Sequence, residues 1–203
     1  MTTGVPIKMN ANHYRAASGR IFRGALGLSI LAILGGLFSV VAAAVPSIEG
    51  GMVWVRIVVP ILMVCCYVYF FLGLGDLCKE FEGATATNIR RIRAAAIFSI
   101  MGILLFLIPV MGVILYVILL EVAAVISLVA YGGLRCDGSF PGCQGMKTLY
   151  AASVLQIIGC VFLLIPLINI IGHIINVVAF VGVIVGWLRV MNAPLPAEGD
   201  DVQ

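Results

Sequence analysis

Long apolar runs separated by short polar clusters dominate this chain. The first run extends from Ile21 to Val45 and the second from Val53 to Gly75. Each meets the roughly 20 apolar residues that a helix needs to cross about 30 Å of hydrocarbon. Between them, Pro46-Ser47-Ile48-Glu49-Gly50-Gly51 reads as a turn. Pro60 falls inside the second run and predicts a kink there.

The next two runs are too long for single spans. Ala94–Leu134 holds one charge, Glu121, in 41 residues, and Leu149–Leu188 holds none in 40. As one straight helix either would measure roughly 60 Å, about twice the hydrocarbon thickness. Each must fold back, and the prolines of Ile108-Pro109-Val110-Met111-Gly112 and Ile165-Pro166-Leu167-Ile168-Asn169 mark the turns. The pattern therefore predicts an all-α protein with six transmembrane helices.

An internal repeat agrees with that count. At an offset of 57, Ala94-Ala95 matches Ala151-Ala152, Gly102 matches Gly159, and Leu107-Ile108-Pro109 matches Leu164-Ile165-Pro166. A looser first copy is seen where Arg20-x-x-Arg23 and Ser29-Ile30 echo Arg90-x-x-Arg93 and Ser99-Ile100. The expected organisation is three repeated helical hairpins, over residues 21–77, 92–134 and 149–190. Around them lie an N-terminal segment (1–20), two loops (78–91 and 135–148) and an acidic tail (191–203).

Charge orients this arrangement. Eleven of the twelve Lys and Arg residues fall on the side of the termini and the two loops, and Arg56 alone lies opposite. Lys and Arg favour the cytoplasmic side, so both termini are expected there, in a cell membrane. Only 10% of residues are charged and 63% are hydrophobic, with a mean hydropathy of +1.19. A soluble domain carries roughly a quarter charged residues. The net charge of +3 flanks apolar segments without forming a basic patch, which argues against nucleic-acid binding. The expected partners are the lipid bilayer and, through it, a second copy or another membrane protein.

Candidate chemistry is sparse. Glu121 is the one acid deep in a span, roughly 13 Å below the turn near Gly112 at helical rise. Asn169, His173 and Asn176 stand at i, i+4 and i+7, and Asn176 reaches about the same depth as Glu121. Gln156 enters from the preceding helix. Together these five residues form the candidate intramembrane polar cluster. Two readings compete: hydrogen-bonded packing between helices, or a hydrated cavity that binds a proton, cation or polar substrate. A proteolipid rotor subunit also has hairpins with a mid-membrane carboxylate. Here only one hairpin carries the acid, and the dense Gly/Ala packing of such rings is absent.

No metal or other cofactor is expected. Cys78, Cys136, Cys143 and His13 share the basic side, but the Cys136–Cys143 spacing is wider than a Cys-x(2–4)-Cys knuckle. No nucleophile, metal set or acid/base pair points to an enzyme. The reading that follows is a scaffold or accessory subunit of a membrane assembly, with a small channel or carrier using Glu121 as the alternative. Gly182-x-x-x-Gly186 and Ala32-x-x-x-Gly36 are expected to serve close helix packing. Trp54, Tyr131, Tyr150 and Trp187 are expected near the membrane boundaries, as interfacial aromatics.

Overall fold

A computed structural model describes residues 10–44, 49–106, 108, 111–138, 140–163, 165 and 169–195. Pro109, Pro166 and the acidic residues of the tail lie outside the described residues. Six helices follow in order: α1 (Ala11–Ala44), α2 (Glu49–Lys79), α3 (Gly83–Phe106), α4 (Met111–Leu134), α5 (Cys143–Leu163) and α6 (Asn169–Met191). Among the described residues there is no strand.

Five helices, all but α3, are long and apolar enough to cross a membrane. In α3 the cluster Arg90, Arg91 and Arg93 interrupts the apolar stretch. This architecture is consistent with a multi-pass membrane protein. Outward faces are apolar along the helices, with Ile97, Met101 and Leu104 on α3 and Ile118, Val122 and Val125 on α4 exposed. Helices that are apolar on the inside and the outside alike suit a lipid surround.

Every helix packs against the one before and the one after it, and α6 returns to α1. Among the described residues no helix pair packs across the middle, so the six form a closed ring. Neighbours run antiparallel. In α1 and α2, Gly24 meets Phe70 and Gly35 meets Val59. In α3 and α4, Gly133 meets Asn88 and Gly102 meets Tyr116. In α5 and α6, Gly145 meets Val190 and Gly172 meets Leu163. Small residues let the backbones approach closely, which matters where lipid supplies no hydrophobic drive for association. Gly182 and Gly186 serve this role against Ala152 and Leu149 of α5, and Gly36 lies near His173.

One end of the ring is solidly packed. Tyr14, Phe81 and Phe140 come from the start of α1, the α2–α3 turn and the α4–α5 loop. Their rings lie 5.4–6.4 Å apart. The Tyr14 hydroxyl donates to the Val190 carbonyl at 3.0 Å, which ties the end of α6 to the same cluster. Both described ends of the chain and the two connecting loops thus meet at one end of the bundle. Around it, Arg20 pairs with Asp76 at 2.6 Å and His13 with Glu80 at 3.3 Å. The Thr85 hydroxyl donates to Asp137 and pins the α4–α5 loop to α3.

Helix starts differ from the sequence reading. The helix α1 begins at Ala11, ten residues before the first apolar run, and α3 begins at Gly83, inside the segment read as a loop. The Asn10 side chain caps α1 by accepting from the Asn12 and His13 N–H groups at 3.0 and 3.3 Å. Buried Tyr14, Ala17, Ser18 and Ile21 then follow at helical spacing. Polar residues on the opposite face hid this period. Gly83 turns the chain between α2 and α3 with φ +63°, a conformation that favours glycine. A second difference concerns the aromatics. Trp187 and Tyr131 are 1% and 7% exposed, so their rings face the bundle interior.

Candidate functional site

A cavity of about 110 Å³ occupies the middle of the ring, and all six helices line it. Its polar wall comprises Ser29 of α1, Tyr67 of α2, Ser99 of α3, Ser127 of α4, and Ser153 and Gln156 of α5. The helix α6 contributes apolar Phe180 and Val183 and the ring of Trp187. Among the described residues no Asp, Glu, Lys or Arg lines the space.

Aromatic rings close the side toward the packed end. Trp187 stands edge-on to Phe70 at 5.6 Å and to Tyr131 at 6.3 Å. The Trp187 indole and the Tyr131 ring thus face each other in the bundle interior. Along the wall, the Tyr67 phenol and the Ser99 hydroxyl line the same space. The Gln156 carboxamide makes no hydrogen bond to a described residue.

The five residues singled out from the sequence separate into different places. Glu121 and Asn176 each lie beside the Cys160 thiol. This seam joins α4, α5 and α6. Asn176 also lies flat on the backbone of Gly159, where a Cβ would stand 2.7 Å from its Oδ1. That oxygen is fully enclosed and has no hydrogen-bond donor among the described residues. His173 faces α1 instead, with Nδ1 3.7 Å from where a Cβ on Gly36 would be. Of the four whose side chains are described, Gln156 alone lines the central cavity. Asn169 opens α6, and its side chain is outside the described set.

Sequence reasoning missed Cys160 and the serines. Depth can be counted from helical rise, and it placed Glu121 and Asn176 level; a thiol one helix away gave no comparable signal. Serines within apolar runs carry no charge and no obvious period, although Ser29 and Ser99 were visible as repeat-matched positions.

The candidate metal ligands are dispersed. The Cys78 thiol donates to the Ala86 carbonyl at 3.7 Å, His13 pairs with Glu80, and Cys136 is exposed. Among the described residues no group of three or more His, Cys, Asp or Glu is placed to hold a metal ion. Compared with known proteins, the chain matches no family model, no curated protein and no solved structure.

Proposed function

We propose that this chain is an integral membrane protein of three like hairpins, α1–α2, α3–α4 and α5–α6, crossing the bilayer six times. Its termini face the cytoplasm, and it acts as a non-catalytic scaffold or accessory subunit of a membrane assembly. The observation that carries the proposal is the closed antiparallel ring with an apolar exterior. Within it α3 runs the full height between two helices that are themselves apolar enough to span, from the level of Cys78 and Ala86 to that of Tyr116. A crossing by α3 follows from its neighbours despite its three arginines. The basic residues then collect at the packed end, as cytoplasmic loops require.

The position of Glu121 favours this reading over a carrier that works through that residue. Its carboxyl sits in a helix seam beside Cys160, not on the cavity wall. Side chains in that position join helices, each contact contributing about 0.6 kcal/mol on average. Glu121→Gln is the test. The variant is expected to remain monodisperse, to keep the native mass of its assembly, and to match wild type in proteoliposome flux assays. A proton or cation flux in wild type that Glu121→Gln abolishes would overturn the proposal.

A further inference from the structure

The polar groups of the central cavity share a level along the helices. Ser29, Ser99 and Gln156 each stand nine residues beyond a basic residue, respectively Arg20, Arg90 and Lys147. At 1.5 Å per residue this places each about 13 Å along its helix from that basic residue. The three odd-numbered helices thus present a hydrogen-bonding side chain at matching height, and all three reach the same space. Ser127 and Ser153 add hydroxyls to it, above the aromatic floor of Phe70, Tyr131 and Trp187.

We infer that this cavity is a binding site for a small, uncharged, hydrogen-bonding solute, of the size and chemistry of urea, acetamide or glycerol. Gln156 is its principal recognition group. Size comes first: about 110 Å³ corresponds to about four waters at their liquid volume of about 30 Å³ each, room for a molecule of four to six heavy atoms. Chemistry comes second. A carboxamide offers two donors and two acceptor positions, and Gln156 has no described protein partner for them. Gln156 is half-buried and its polar atoms are not enclosed by protein, so a polar occupant of the space can reach them and is favoured there over an apolar one.

Charge selects the class. An ion in the cavity would find no counter-charge on its wall. Glu121 faces Cys160 in the α4–α5–α6 seam, and the Arg93 guanidinium lies over the Phe71 ring at 4.3 Å, beside Gly75. Neither lines the cavity. Serine hydroxyls and an amide satisfy a neutral solute and leave an ion uncompensated.

Saturation-transfer NMR on the full chain in lipid nanodiscs tests this with paired probes of like shape: urea against guanidinium, and acetamide against acetate. The neutral member of each pair is expected to give a saturable signal, at least tenfold tighter than its charged counterpart. Gln156→Leu should weaken neutral binding about five- to tenfold, the effect of one lost hydrogen bond. Glu121→Gln should leave it unchanged. Should Gln156→Leu fail to fold, Ser127→Val reads the same wall and should weaken binding by a smaller factor. Equal binding of charged and neutral probes, unchanged binding in folded Gln156→Leu, or no saturable signal from any neutral probe (a cavity that holds water only) would each overturn the inference.

Discussion

Replacing Gly145 by alanine should destabilise the protein, whereas the same replacement at Gly19 should stabilise it. A Cβ on Gly145 would lie 2.5 Å from the Gly186 carbonyl oxygen, 2.5 Å from Val190 Cγ2 and 2.9 Å from the Val190 backbone nitrogen. Two of these three are backbone atoms that no rotamer change can move. Relief therefore requires α5 and α6 to part by something approaching 1 Å, and that loosens contacts along the whole seam. Overpacking of this kind costs about 1–3 kcal/mol. Alanine also favours the helix over glycine by about 1 kcal/mol, which offsets part of the cost. The net expectation for Gly145→Ala is a loss of up to about 2 kcal/mol. At Gly19 an added Cβ meets nothing within 4 Å, so only the helix preference remains and a gain of about 0.5–1 kcal/mol is expected. Reversible unfolding in mixed micelles, titrated with SDS and followed by far-ultraviolet circular dichroism, measures both. Equal shifts of the same sign for the two variants would refute the backbone-contact argument.

Tyr14→Phe removes the hydroxyl that donates to the Val190 carbonyl at the packed end. A loss of about 1 kcal/mol is expected in the same titration, and no change would mean that the bond contributes nothing. Asn10→Ala removes the cap of α1 and should cost about 1 kcal/mol, with faster amide exchange at Asn12 and His13. Unaltered exchange at those two amides would show that α1 does not depend on this cap.

How much of this was legible in the sequence differs between helix existence, helix bounds and helix rotation. Existence was the easiest, because a 41-residue run with one charge has few solutions other than a fold-back. The breaks between Phe106 and Met111, and between Leu163 and Asn169, fall where the two prolines marked them. Bounds were harder, since hydropathy reports the surroundings of a helix and not its hydrogen bonds. The polar first turns of α1 and the threonines and arginines of α3 are helical because Tyr14, Ala17 and Ile21, or Ile89 and Ile92, bury one face at the basic end. Rotation was the hardest. Helical rise placed Glu121 and Asn176 level, and each lies beside Cys160, but rise says nothing of rotation. Which way each helix turns is set by its partners. That is why His173 points to α1, Gln156 to the centre, and Trp187 to Tyr131. Orientation across a bilayer and the equivalence of the three hairpins are properties of the proposed reading.

The central claim is that six crossings gather both loops at one face. Single cysteines placed at Glu82 and Gly138, both exposed at the packed end, and at Ile108 and Ile165, both exposed at the far end, can be labelled in a cysteine-free background. With an impermeant maleimide on intact cells, positions 108 and 165 should label, while 82 and 138 should label only after the membrane is opened. Labelling of 82 and 138 from opposite faces would contradict the account.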